Sequence, residues 1–219
     1  MGKEDLSILL IKGVRKLGLS LTAEQVSSFK KYLREIKIWG ARFNLVSRKD
    51  DREIILKDFL DSLTVLKYLS QEASLVDLGS GAGFPGIPLK IVRPDLGVVL
   101  LESKQKKVYF LKNIIRILGL EGVEAHLSLE GRIRVESPLG LFDYVISRAF
   151  GPLLKFSAKA LPLIKPGGVL IAMKGKKGEE DLQRNLLALE KMGLKKAFLD
   201  HFPLPFLGHE RILIGLKKE

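Results

Sequence analysis

Residues 75–90 read "LVDLGSGAGFPGIPLK". An apolar run closes on an acid, Asp77. Gly79, Gly81, Gly83 and Gly86 follow within nine residues, and Pro85 precedes the next apolar run. Glycines this dense have a physical cost, because each is disfavoured inside a helix or strand. They are placed where a backbone turns tightly or meets a ligand without a Cβ in the way. The stretch also contains a literal G-x-G-x-x-G (Gly81, Gly83, Gly86). An apolar strand, a bare turn and a helix are therefore expected here, with a sheet behind them.

The rest of the chain fits that unit. From residue 74 onward, short apolar runs alternate with stretches of helical spacing. "SLVDLG", "GVVLLES", "VEAHLS", "FDYVISR" and "PGGVLIAMKG" read as strands, and the segments between the first two pairs and around the fifth as helices. Gly119 is placed to end the helix "KQKKVYFLKNIIRILG". Such alternation predicts a parallel, doubly wound α/β sheet with helices on both faces. "KKAFLDHF" and "ERILIGLKK" in the tail are expected to pair as antiparallel strands. The first seventy residues carry helical spacing instead. Thr22 with Gln25 makes a capping box before Val26, Phe29, Leu33 and Ile36, while Asp50 with Glu53 opens a second helix over "DDREIILKDFLDSLTVLKYL". Two parts are expected: a helical extension over 1–72 and a ligand-binding domain over 73–219.

Three ligands compete for the loop. A P-loop needs Gly-Lys-Ser/Thr at its end, whereas Gly83-Phe84-Pro85-Gly86 stands here. A dinucleotide needs N–H groups for its pyrophosphate. Asp77 would repel that group, and Pro85 removes one donor. S-adenosylmethionine, with a sulfonium and an ammonium group, suits an acid at this place. Glu102 ends the next strand, about twenty residues on, where a carboxylate accepts ribose hydroxyls. Composition narrows the chemistry further. The chain has no cysteine, so thiolate ligands and cysteine nucleophiles are excluded. His126, His201 and His209 have no ligand spacing, and no metal is expected. The net charge of +12 predicts a polyanionic partner. No apolar run spans a membrane, the N-terminal stretch reads as an amphipathic helix, and a cytoplasmic location is expected.

With these residues in hand, the chain resembles the glucose-inhibited division protein B family, bacterial small-subunit (16S) ribosomal RNA guanine-N(7) methyltransferases. The resemblance runs from about residue 20 to the C-terminus. Its most specific piece is "DLGSGAGFPGIPLKI"; others are "FNL" at 43–45, "LDSL" at 60–63, "KKVYFLK" at 106–112, "FDYVISRA" at 142–149, "LIKPGG" at 163–168, "MKG" at 173–175 and "HER" at 209–211. It implies a Rossmann-like class I methyltransferase sheet, mostly parallel with the last strand antiparallel. It also implies S-adenosyl-L-methionine as cofactor, 16S rRNA or the 30S subunit as partner, the 530-loop region as target, and a monomer. Gly79 and Phe84 would contact the cofactor, Gly81 and Gly83 shape the turn, and Glu102 hold the ribose. Ile133 and Arg134 would line the adenine. Arg148, the candidate catalytic residue, would touch cofactor or substrate. Arg132, Lys174 and Arg211 are candidate RNA contacts. The chain departs from the family at two places: Ile133-Arg134 replaces Ala-Glu or Val-Glu, and Asp58 stands where the family has histidine.

The chemistry agrees with this reading. Guanine N(7) offers an in-plane lone pair and loses no proton, so orientation can carry the reaction without a general base. An arginine on the attacked edge would compete with it, so Arg148 belongs on a phosphate, O(6) or the cofactor. Cytosine C5 methylation needs an absent cysteine. Exocyclic-amine enzymes carry Asn/Asp-Pro-Pro-aromatic where Ser147-Arg148-Ala149-Phe150 stands. Two other readings remain open at this point: a NAD-dependent oxidoreductase, and a non-catalytic rRNA-binding or assembly factor.

Overall fold

The structure, a computed structural model, describes residues 6–43, 45, 50–128, 140–148 and 150–219. Two helices open it. Helix α1 (Leu6–Lys16) buries Leu9, Leu10 and Val14. Helix α2 (Ala23–Gly40) starts at the expected capping box. Gln25 N–H donates to Thr22 Oγ1 at 3.2 Å, and Thr22 N–H donates to Gln25 Oε1 at 2.9 Å. Phe29, Tyr32, Leu33 and Ile36 then fall on its buried face.

The next stretch differs from the single helix that its spacing predicts. Asp50 does cap its start, accepting from Arg52 N–H at 3.0 Å. Glu53 pairs with Lys57 one turn on. The stretch is then divided into α3 (Asp51–Ile54), a π-helical turn (Ile55–Phe59), α4 (Leu60–Leu63) and a 3₁₀ turn over Leu66–Tyr68. A π turn adds a residue to the helical repeat and takes a carbonyl out of the regular ladder. Here the Lys57 carbonyl accepts from Arg148, far along the chain.

The alternating region follows its expected order: β1 (Ser74–Leu78), α5 (Gly86–Val92), β2 (Gly97–Glu102), α6 (Gln105–Leu118), β3 (Val123–Leu127), β4 (Phe142–Arg148), α7 (Leu153–Ala160), β5 (Ile164–Lys174), α8 (Gly178–Lys191), β6 (Leu194–Pro203) and β7 (Glu210–Lys218). Gly119 closes α6 in the left-handed region, as expected. The seven strands lie in the order β3-β2-β1-β4-β5-β7-β6. Strands β1 to β5 pair in parallel, while β7 runs antiparallel to both β5 and β6. The strand order reverses between β1 and β4, which is where such sheets hold their ligands.

Alternation along the strands divides the interior in two. Leu75, Val98, Leu100, Ile146 and Leu213 face one side and pack with Phe29, Tyr32, Phe59, Phe84 and Phe110. Val76, Val99, Val145, Leu170 and Ile214 face the other, with Leu153, Phe156, Leu182 and Leu189 of α7 and α8. The N-terminal helices thus share one continuous core with the first face of the sheet. Among the described residues, no helix is long and apolar enough to cross a membrane.

Candidate active site

Three chain segments meet at the carboxyl ends of β1, β2 and β4. The first is the glycine loop. Its backbone turns back on itself through Gly83 N–H and Phe84 N–H, both donating to the Ser80 carbonyl at 2.7 and 2.9 Å. The four glycines do not serve one purpose. A Cβ on Gly83 would lie 2.6 Å from Ile87 Cγ1 and 2.8 Å from the Tyr32 hydroxyl, and a Cβ on Gly86 would collide with Leu100. These two are bare because helix α2 and strand β2 press against them. Gly79 and Gly81 are different: the nearest atoms to their Cβ positions are Phe150 Cδ2 at 3.4 Å and Lys107 Nζ at 3.9 Å. The open backbone that a ligand can approach is therefore at Gly79 and Gly81.

Asp77 lies under this loop and is fully buried. Its Oδ2 accepts from Gly86 N–H at 2.9 Å, which ties the strand end to the start of α5. Its Oδ1 is buried without a hydrogen-bond partner among the described residues. Burial pushes this carboxyl up to about 7, against the pull of the Gly86 N–H and of Arg148. An orphaned carboxylate oxygen costs free energy unless something pairs with it.

Glu102 ends β2 and is buried. Its Oε2 accepts from Gly81 N–H at 2.9 Å, and its Oε1 accepts from Lys104 N–H at 2.9 Å and Ser103 Oγ at 3.2 Å. The carboxylate thus clamps the glycine loop as well as the turn into α6. Each oxygen has lone pairs beyond those the backbone uses, so a ribose contact is compatible with this arrangement.

Phe84 departs from the sequence expectation in its direction. Its ring is buried between Tyr32 and Phe59, with centroids 5.6 and 5.9 Å away, so it supports the loop from the core side. The Tyr32 hydroxyl meanwhile donates to the Ala82 carbonyl at 2.5 Å.

Arg148 ends β4, beside the loop. Ser147 locks this corner, its hydroxyl donating to the Leu78 carbonyl at 2.6 Å. The Arg148 guanidinium sits 5.0 Å from the Phe84 ring centroid. Nη2 donates to Asp58 Oδ1 at 2.6 Å and Nη1 to the Lys57 carbonyl at 2.9 Å, with Asp61 Oδ2 3.7 Å from Nη1. Asp61 Oδ1 in turn accepts from Arg211 Nε at 3.0 Å. Burial pushes Asp61 upward, while Arg211 and Arg148 pull it down. Arg148 and Arg211, separately named from sequence, thus belong to one chain of alternating charges: Asp58, Arg148, Asp61, Arg211. Asp58 and Asp61 were not singled out as site residues. Their i, i+3 spacing, with Asp58 ahead of the "LDSL" stretch and Asp61 inside it, was the available signal, since it places two acids on one side of a helix.

Lys174 stands apart. Its ammonium donates to the Gly151 carbonyl and to Asp181 Oδ2, the latter at 3.1 Å, so it braces the corner after β4 against α8. Arg132, Ile133 and Arg134 lie outside the described residues. Among the described residues, no group of three or more His, Cys, Asp or Glu could hold a metal ion.

The residues fit S-adenosylmethionine on two counts: open backbone at Gly79 and Gly81, and a carboxylate at the end of β2; Asp77 is fully buried and supports the loop from beneath. Solved structures share the architecture. An S-adenosylmethionine-dependent methyltransferase from Aquifex aeolicus superposes with a TM-score of 0.59 at 22% identity, covering 78% of this chain and 94% of that one. M. jannaschii TYW2 in complex with AdoMet gives a TM-score of 0.52 at 22% identity, covering 68% of this chain and 70% of that one. These likenesses concern the fold. Closer relatives exist in sequence. The ribosomal RNA small subunit methyltransferase G of Geotalea uraniireducens is 42% identical over 210 residues, covering 96% of this chain and 95% of that protein. The protein of the same name from Caldanaerobacter subterraneus subsp. tengcongensis is 38% identical over 214 residues, 96% and 89%. The family model described as rRNA small subunit methyltransferase G matches residues 25–206. With a match over most of its length and relatives this similar end to end, the chain belongs to the rRNA small subunit methyltransferase G family.

Proposed function

We propose that this protein transfers the methyl group of S-adenosyl-L-methionine to N(7) of a guanine in small-subunit ribosomal RNA. Membership of the family makes it an rRNA methyltransferase that uses this cofactor. The observation that carries the finer reading is the meeting of the open glycine loop, Glu102 and a charge-paired Arg148 at the strand-order reversal.

When bound, the cofactor supplies a methyl group activated by its sulfonium. The chain's own residues have the following tasks. Gly79 and Gly81 admit the methionine part against bare backbone. Asp77 braces the loop from beneath through Gly86 N–H, and Glu102 receives the ribose hydroxyls while holding the loop closed through Gly81 N–H. Because N(7) loses no proton, no residue is needed as a general base, and the site works by orientation. Arg148 is held to one side by Asp58 and the Lys57 carbonyl, so its remaining N–H groups serve as a fixed donor edge for a phosphate, O(6) or the cofactor. Arg211 offers a cationic contact for RNA, Arg132 is a further candidate by its place in the sequence alone, and Lys174 contributes by shaping the Gly151 corner. The net charge of +12 suits a polyanionic substrate. A monomer acting in the cytoplasm on the 530-loop region of 16S rRNA, within the assembled 30S subunit, completes the reading.

The test is methylation in vitro of unmodified 30S subunits and of naked 16S rRNA, followed by chemical cleavage at N(7)-methylguanine. One cleavage in the 530-loop region, stronger with 30S subunits, is expected. Cofactor binding with label incorporation elsewhere, or with none, refutes the N(7) assignment.

A further inference from the structure

We infer that Asp58, on the π-helical turn, is a positioning residue that both orients Arg148 and cancels its charge beside the methyl-transfer site. The inference rests on the methyltransferase reading above. Asp58 is fully buried, and its 2.6 Å bond to Nη2 together with the 2.9 Å bond from Nη1 to the Lys57 carbonyl fixes two of the three guanidinium nitrogens. The two acceptors come from neighbouring residues of one π turn, whose extra residue brings a side chain and a main-chain carbonyl to the same planar fork. Phe84 then supports the guanidinium from below, 5.0 Å from its ring centroid. Three contacts thus leave Arg148 one orientation. Asp61 cannot replace Asp58 in this role. It lies 3.7 Å from Nη1 and is already committed to Arg211 at 3.0 Å.

The reason to cancel the charge lies in the reaction. The sulfonium of the methyl donor is a cation, and a guanine methylated at N(7) is also a cation. A lone guanidinium at the end of β4, next to the glycine loop, would repel both. Paired with Asp58 at 2.6 Å, Arg148 can offer N–H donors at close range without opposing either cation.

The inference predicts a change that a merely structural role would not produce. S-adenosylmethionine carries the sulfonium charge, and S-adenosylhomocysteine lacks it while making the same adenosine and amino-acid contacts. The ratio of the two affinities therefore reports the charge at the site. The full-length protein should be titrated with each compound by calorimetry. Asp58→Asn should lower the relative affinity for S-adenosylmethionine roughly ten-fold, the scale of one unscreened charge at short range. Arg148→Gln should raise it, because it leaves the carboxylates uncompensated. The double variant Asp58→Asn with Arg148→Gln should return to within about two-fold of the parent, as expected for two residues acting as one unit. An unchanged ratio in Asp58→Asn, or single variants that shift the ratio in the same direction, overturns the inference. If Asp58→Asn alone does not fold, Arg148→Gln and the double variant decide by the same criteria, since the double variant buries no uncompensated charge. A parent protein that binds neither compound overturns the methyltransferase reading itself.

Discussion

Glu102 is the residue whose two duties are easiest to separate. It is placed to receive a ribose, and it already holds Gly81 N–H and Lys104 N–H. Glu102→Ala should weaken S-adenosylmethionine binding about ten-fold or more, since a charged acceptor and the clamp on the loop are lost together. Unchanged affinity by calorimetry would refute the ribose role. Asp77 makes a prediction about pH. Its carboxyl is pushed by burial to about 7, against about 3.9 in an unfolded chain. Between these values the folded protein holds a proton that the unfolded chain releases. The stability contributed by this group is therefore full below about pH 4 and is lost as pH rises towards 7. Without cofactor, the melting temperature of the parent relative to Asp77→Asn should fall from pH 4 to 7 and then level off. A gap that stays constant from pH 4 to 8 would show that Asp77 does not titrate in this range.

Helix α2 and the glycine loop are fitted to each other element against element. Tyr32 reaches from α2 to bond the Ala82 carbonyl at 2.5 Å, and the next residue, Gly83, has φ of +98° with the Tyr32 hydroxyl 2.8 Å from its Cβ position. Gly83→Ala should therefore destabilise the fold by roughly 2 kcal/mol or more, from backbone strain and overpacking combined. Gly81→Ala, with φ of +61° but no atom nearer than 3.9 Å, should cost less in stability. Thermal unfolding of the two variants compares them directly; equal losses would mean that crowding by α2 is not what keeps residue 83 bare. The π turn is the second element-level device. It takes the place of an uninterrupted helix, and it aims a carboxylate and a carbonyl at one arginine.

For the molecule as a whole, the N-terminal helices are not separable from the sheet by packing. Phe29, Tyr32 and Phe59 share a core with Phe84, Phe110, Leu111 and the first sheet face. Asp58 and Asp61 also reach the ends of β4 and β7. A chain starting at residue 73 would expose that face and leave Arg148 and Arg211 without their carboxylates. It should fail to unfold cooperatively and should aggregate or bind hydrophobic dyes. Cooperative unfolding of the truncated chain, with dispersed amide resonances, would show that 73–219 folds alone.

Much of the fold was legible in the sequence because local rules govern it. The capping box at Thr22, the αL glycine at 119, and the alternation of strand and helix each depend on near neighbours. So does the loop chemistry, where Asp77, the glycines and Glu102 lie within a single βαβ unit and favour S-adenosylmethionine over a dinucleotide. The directions and partners of side chains were decided by contacts across the chain. Phe84 faces the core because α2 and the π turn present Tyr32 and Phe59 to it. Lys174 is bound to Gly151 and Asp181 rather than left open to solvent. Gly83 and Gly86 are bare for packing, which spacing cannot distinguish from room for a ligand. Above all, Arg148 meets a carboxylate ninety residues earlier in the chain. Sequence determined most of the elements, because those follow from periodicity and short-range sterics, and its loop motif and family resemblance indicated the cofactor. Only the tertiary structure decided how the charges at the site are paired, because that depends on which distant side chains the packed sheet and helices bring within hydrogen-bond reach.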